Sequence, residues 1–341
     1  ALLRWAGVDP ALAARTGIFL WGISLGFPAA MVYRSLTFYS ASIGHPRPAM
    51  VLAFVGLGVN AFLNWVLIRG HWGAPALGGA GCGWATGIGM WVALLAMLVW
   101  TRCARAYRPY TLWTDWHWPR WDAQRQLLRI GLPMGGAGFI EVTAFAGIAV
   151  LVARFGDVQI AAHQIALNLS SLTFMLPMGL SAAVTIRVGQ ALGTGDRRLA
   201  RFIAFCGLHT GMALGLLLAG AVVTLRHRVA GLYSDDESVQ ALAANLLLLA
   251  AFWQVFDAAQ VCAIGGLRGY KSTMLPMLLM LAAFWGIGLP LGAVLGYHGL
   301  FGRGPLEVYG FWIGLLVALV LVATALVLAL RRITAVAYRP G

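Results

Sequence analysis

Residues 130–155 read IGLPMGGAGFIEVTAFAGIAVLVARF, an apolar run of about 24 residues, long enough to cross a bilayer core of roughly 30 Å as a helix. Glu141 stands close to its middle. An ionisable side chain at a helix centre costs roughly 2.5 to 3.5 kcal/mol on insertion scales, so such groups usually face a protein interior or a wet cavity and serve a purpose there. The stretch therefore reads as a membrane helix built around a working carboxyl. The plainer alternative for Glu141 is a paired or protonated structural group.

The rest of the chain agrees with a membrane setting. Of 341 residues 60% are hydrophobic and 10% charged, against about 45–50% and 25% in soluble proteins. Nine apolar spans, near residues 12–38, 48–68, 77–101, 130–153, 158–186, 202–225, 239–266, 273–297 and 308–330, are expected to be helices, because a backbone facing lipid must satisfy its own hydrogen bonds. The net charge of +13 could point to nucleic acid. The basic residues sit instead in short loops between spans, so no nucleic-acid partner is expected. Cys82, Cys103, Cys206 and Cys262 form no CxxC pair and read as packing residues.

The loops alternate between two sides of the membrane. One side carries Arg47, Arg102, Arg105, Arg108, Arg120, Arg125, Arg129, Arg187, Arg197, Arg198, Arg201, Arg268, Lys271, Arg331, Arg332 and Arg339; the other carries Arg4, Arg15, Arg69, Arg154, Arg226, Arg228 and Arg303. The positive-inside rule makes the richer side, and with it the C-terminus, cytoplasmic. Residues 102–129, with Trp113, Trp116, Trp118 and Trp121 among arginines, read as a cytoplasmic linker at the membrane interface. It separates a three-helix part, residues 1–101, from a six-helix part, residues 130–341.

The chain also repeats itself. At an offset of 228 residues Pro48 falls on Pro276 and Trp84 on Trp312, so spans one to three pair with spans seven to nine. A shift of six helices preserves orientation, which is the parallel repeat of two-lobed transporters. The fold expected is an all-α polytopic membrane protein: nine transmembrane helices of an expected twelve, in two lobes related by a parallel six-helix repeat. On this reading three helices, roughly one hundred residues, would precede the present first residue.

Asp257, in FWQVFDAAQ, is the only other acid well inside a span. Glu141 lies 12 residues from Arg129 and Asp257 lies 11 from Arg268, which at 1.5 Å per residue puts both about 17 Å from the same surface. Two acids at one depth can take up a proton or jointly bind a small cation. Gln254 and Gln260 flank Asp257 at i−3 and i+3 and could add neutral oxygens; Asn60 and Asn64, four apart, share a helix face. Adhesion between helices is the competing reading for all four amides. His163, Gln164 and Asn168 form a further polar stripe, with His163 read as a packing or loop-end hydrogen bonder. The acidic run Asp235, Asp236, Glu237 reads as a solvated loop or a helix cap.

Four stretches, GLPMGGAGFIEVTAF, AAHQIALNLSSLTFMLPMGLSAAVTIRVGQALGTGD, FWQVFDAAQVCAIGGLRGYKST and NAFLNWVLIRG followed by PALGGAGCGWAT, resemble the multidrug and toxic compound extrusion (MATE) family, in its NorM-like branch. The resemblance covers essentially the whole chain. It implies a twelve-helix antiporter that opens to alternate sides and exchanges Na+ or H+ for bulky, often cationic, organic compounds. By the same resemblance Glu141 and Asp257 are the paired acids of the C-terminal lobe, and Asn60 and Asn64 the paired amides of the N-terminal lobe.

The site expected is then Glu141, Asp257, Asn60, Asn64, Gln254 and Gln260, with Glu141 and Asp257 as the Na+ ligands if Na+ couples. No catalytic residue and no cofactor beyond the coupling ion is expected, and the protein is read as a non-enzyme. Its partners would be small organic cations or drugs and membrane lipids; a monomer in the plasma membrane, the bacterial inner membrane, is expected. Two alternatives stay open. A lipid-linked saccharide flippase would need basic residues in the spans to hold diphosphate, and a membrane-embedded transferase would need a catalytic cluster at one interface.

Overall fold

The computed structural model describes residues 10–73, 75–110, 113, 118, 120–299 and 304–338. Arg4, Trp116, Arg303 and Arg339, together with much of the middle of the linker, lie outside the described residues. Among the described residues nine helices are long and apolar enough to cross a membrane, one for each expected span. We number them α1 (Pro10–Ser42), α2 (Arg47–Arg69), α3 (Gly79–Cys103), α4 (Trp121–Val152), α5 (Asp157–Gly193), α6 (Arg197–Tyr233), α7 (Glu237–Gly269), α8 (Met274–Tyr297) and α9 (Glu307–Tyr338).

Several helices overrun their apolar spans. α5 and α6 each hold 37 residues, about 55 Å of helix, well beyond a bilayer core of roughly 30 Å. Polar caps and basic first turns carry the extensions. The Asp196 carboxylate accepts the Leu199 N–H at 2.8 Å at the start of α6, and Asp236 does the same for Ser238 at the start of α7, also 2.8 Å. The Asp235–Glu237 run is thus a helix cap, and the Ser238 hydrogen bonds hold the Asp236 carboxyl below the usual aspartate range. α4 begins at Trp121, with Asp122 in its first turn at the positive end of the helix dipole. The second half of the segment read as a linker is therefore helical.

The chain divides into two compact units, Ala1–Trp118 and Pro119–Gly341. In the first, α3 packs against both α1 and α2, which touch each other little. Backbone meets backbone where α1 crosses α3. A methyl group at Gly87 would collide with the Gly22 carbonyl, and one at Gly83 with the Phe19 carbonyl. Small residues at such crossings are what draws helices together where burial from water gives no drive.

In the second unit α7 is the central helix, packed on α5, α6 and α9, and Asp257 through Leu267 are buried without interruption. Hydroxyls sew α5 to α7. Ser181 donates to the Val261 carbonyl at 2.6 Å, Thr185 to the Gly265 carbonyl at 2.9 Å, and Thr173 to Gln254 Oε1 at 2.6 Å. α8 is α-helical at both ends and π-helical over Leu281–Gly288, where the Leu289 N–H reaches back five residues to the Phe284 carbonyl. Pro290, just beyond, removes the donor that an α-helix would aim at Gly286.

The repeat is visible in the helix ends. α2 ends at Arg69 and α8 at Tyr297, and α3 starts at Gly79 and α9 at Glu307; both pairs are separated by the same 228 residues that relate Pro48 to Pro276. α9, like α3, packs on both of its companions. The cysteines correct one expectation: Cys262 is buried, but Cys103 and Cys206 are exposed and Cys82 is half-buried. A small apolar side chain fits a bare helix face in an apolar span as well as it fits a core.

Candidate functional site

Glu141 and Asp257 line one cavity of about 340 Å³ in the second unit. α4 contributes Glu141, Val142 and Phe145, α5 contributes Leu167, Ser170, Ser171 and Phe174, α7 contributes Trp253 and Asp257, and α9 contributes Trp312. Apart from the two carboxyls and two serine hydroxyls the wall is aliphatic and aromatic. Asp257 is 4% exposed, and its Oδ1 has no partner among the described residues; neither has the buried hydroxyl of Ser170. Buried polar atoms of this kind normally find a partner, so both are ready to receive one from a guest. Glu141 is close enough to act electrostatically on Asp257, and the Arg268 guanidinium on Glu141.

The supports of this cavity follow from the packing. The Thr173–Gln254 and Ser181–Val261 bonds bracket Asp257 on α7. The Trp285 indole, in the π segment of α8, donates to the Ile140 carbonyl at 3.2 Å, one residue before Glu141, and the Tyr297 hydroxyl donates to the Leu151 carbonyl at 2.9 Å. Trp312 is fixed by His163, whose Nδ1 accepts the indole N–H at 3.2 Å. Because an indole N–H can only donate, Nδ1 must carry no proton there. His163 itself is fully buried and holds a wall of the cavity without reaching into it.

The other expected site residues are placed differently. Gln254 and Gln260, each 2% exposed, are buried beside Asp257 on α7 but do not line the cavity. The oxygen of Gln254 is taken by Thr173. Asn60 and Asn64 belong to the first unit, where Asn64 Nδ2 donates to Asn60 Oδ1 at 2.9 Å and Asn60 Nδ2 to Thr86 Oγ1 at 3.5 Å. Asn60 and Thr86 line a second cavity there, of about 500 Å³, with Tyr33 and Arg34. Asn168 accepts the Tyr233 hydroxyl at 2.7 Å.

Ser170, Thr86 and the aromatic walls were not singled out from the sequence. Hydroxyls in apolar spans commonly bond their own helix, as Thr143 does with the Phe139 carbonyl at 2.7 Å, and aromatic residues are ordinary there. Among the described residues no group of three or more His, Cys, Asp or Glu could hold a metal ion. The oxygens of Glu141, Asp257 and Ser170 are a hard donor set, suited to a small monovalent ion.

The family model MatE matches residues 133–294. The chain is 44% identical over 325 residues to the multidrug resistance protein PmpM of Pseudomonas aeruginosa, covering 95% of this chain and 68% of that one. It is 40% identical to the multidrug resistance protein NorM of Vibrio cholerae, covering 93% and 70%. Among solved structures, the MATE transporter NorM-NG, in complex with an organic ligand and a monobody, superposes with a TM-score of 0.79 at 34% identity, covering 93% of this chain and 67% of that one. The eukaryotic MATE transporter AtDTX14 shares the fold at a TM-score of 0.86 and 19% identity, covering 98% and 74%. The chain thus spans about two thirds of the length of these relatives. On these matches it belongs to the multidrug and toxic compound extrusion family, alongside the NorM and PmpM members.

Proposed function

We propose that the protein is a secondary active efflux antiporter, moving bulky and often cationic organic compounds out of the cell in exchange for inward Na+ or H+. The observation that carries this reading is the cavity in which two carboxyls, from α4 and α7, stand among aromatic walls with Asp257 Oδ1 unpartnered. A cation entering such an apolar space must be met by a carboxylate, or the acid must be protonated. The coupling ion and the organic cation then compete for the same two charges, and competition for one site is what makes an exchanger.

The parts divide the work. Glu141 and Asp257 hold the charge, and Ser170 adds a neutral oxygen. Phe145, Phe174, Trp253 and Trp312 offer ring faces, which attract flat organic cations. An inward charge step is worth about 2.3 kcal/mol per 100 mV, so one or two ions per cycle drive a modest drug gradient. The ligand complex of NorM-NG is in keeping with an organic guest. The two compact units are read as the two lobes, residues 1–101 and 130–341, joined by residues 102–129, in a monomer of the plasma membrane with a cytoplasmic C-terminus. No cofactor beyond the ion is needed and no enzymatic step is invoked. A flippase for diphosphate-linked sugars is disfavoured, because none of the described residues lining this cavity is basic.

The test is efflux of a fluorescent organic cation from proteoliposomes under an imposed Na+ or pH gradient. Extrusion should follow one of the gradients, and Glu141→Gln or Asp257→Asn should abolish it. Gradient-independent movement of the dye, or two variants behaving as wild type, would refute the reading.

A further inference from the structure

The first unit carries two adjoining cavities that the transport reading leaves unused. One, of about 580 Å³, lies where the α1–α2 turn meets the end of α3 and is lined by His45, Arg47, Arg105 and Tyr107. The other, of about 650 Å³, is an apolar groove along α2 and α3 lined by Leu52, Leu95 and Val99 among others. Trp100 and Ala104 belong to both walls, so the two spaces are continuous. Among the described residues no acid lines either one.

The basic end is firmly constructed. Ser40, fully buried, donates to the His45 carbonyl at 2.9 Å, and the His45 N–H returns a bond to the Ser40 carbonyl at 2.9 Å. The Ser40 hydroxyl also meets that of Tyr107, itself buried, and the His45 ring packs against Tyr107 with centroids 6.1 Å apart. These contacts fix the turn that presents Arg47 and the segment that presents Arg105. Because α1 stops at Ser42, α2 starts at Arg47 and α3 stops at Cys103, this end lies at the level of the membrane surface. Leu95 and Val99, more than half exposed, continue from it into the span.

We propose that this composite cavity binds an anionic phospholipid, its phosphate between Arg47 and Arg105 and one acyl chain in the groove past Trp100, Val99 and Leu95. Charge and position select this occupant. Two guanidiniums with no acid beside them suit a phosphate, and an apolar channel leading from them into the span suits the chain attached to it. Basic pockets at the ends of membrane helices hold lipid headgroups in this way.

The experiment uses the protein in nanodiscs with spin-labelled phosphatidylglycerol or spin-labelled phosphatidylcholine, reading the motionally restricted fraction. Wild type should hold the anionic lipid in preference. Arg47→Gln with Arg105→Gln should reduce that preference roughly thirty-fold, two surface cations being lost, whereas Arg47→Lys with Arg105→Lys should keep most of it. Val99→Trp, which fills the groove, should release the acyl chain with both arginines intact. Arg69→Gln, at the other end of α2, is the control and should change nothing. Equal retention of the two lipids, an effect of Arg69→Gln as large as that of the double variant, or displacement by millimolar inorganic phosphate with no effect of Val99→Trp would each overturn the proposal. The last result would mean a free-anion site, and equal retention would mean that protein or solvent covers the groove.

Discussion

The three-helix groups α1–α3 and α7–α9 share their register but place their close contacts on opposite pairs of helices. In the first group the tight crossing is α1 on α3, through Gly22, Gly83 and Gly87, while α2 is joined to α3 by the Asn60, Asn64 and Thr86 side chains. A step of 228 residues turns Asn60, Asn64 and Thr86 into Gly288, Gly292 and Gly314, which make the backbone-level crossing of α8 on α9. The same step turns Gly83 and Gly87 into the fully buried Phe311 and Leu315. Asp257 falls on Ala29, itself fully buried. The repeat thus keeps helix ends and neighbours, while the polar group moves from the second helix of one set to the first helix of the other.

Exchanging residues between equivalent positions tests that difference. The largest effect is expected from Gly87→Leu, which gives Gly87 the residue of its counterpart. Its Cβ meets the Gly22 backbone, which cannot give way, so folded yield should collapse in size-exclusion chromatography; a monodisperse peak would show that the crossing is looser than described. Asp257→Ala, again the counterpart residue, should abolish ion-coupled efflux while leaving the melting temperature unchanged or raised, since Asp257 Oδ1 bonds none of the described residues. A marked fall in melting temperature would make Asp257 structural.

Thr173→Val removes the bond to Gln254 and strands a buried oxygen. A loss of about 0.6 to 1.7 kcal/mol is expected, measured by denaturation in detergent, and no loss would mean that Gln254 finds another donor. The smallest effect belongs to Asp236→Ala at the cap of α7. Because the folded-state pKa of Asp236 is depressed, the contribution of its carboxylate is present at neutral pH and disappears as pH falls below the ordinary aspartate value of about 4. Wild type and variant should differ slightly at pH 7 and converge in acid; a difference that grows in acid would contradict the cap.

Much of this was legible in the sequence. The nine spans follow from apolar length, the repeat from Pro48 and Trp84 with their counterparts, and the pairing of Glu141 with Asp257 from equal depth. The helix extensions were not, because an apolar window ends where charge begins, whereas a helix continues until its caps fail. Gln254 and Gln260 flank Asp257 in sequence, yet i−3 and i+3 both rotate a side chain by about 60° from the central one, enough to take them off the cavity wall. Ser170 and Thr86 bear no pattern that sets a working hydroxyl apart from one that caps its own turn. The π segment of α8 depends on how Pro290 and its neighbours settle against α9, which no local propensity encodes.

The exposure of Cys103 and Cys206 gives the molecule a pair of native labelling handles. One lies on each compact unit, while Cys262 is shielded in the core. Thiol-reactive probes can be attached to both with only Cys82 replaced, so that distances between the units can be followed by spectroscopy through a transport cycle. Cys103 also lines the apolar groove beside Trp100, so the same label doubles as a reporter of what fills that groove.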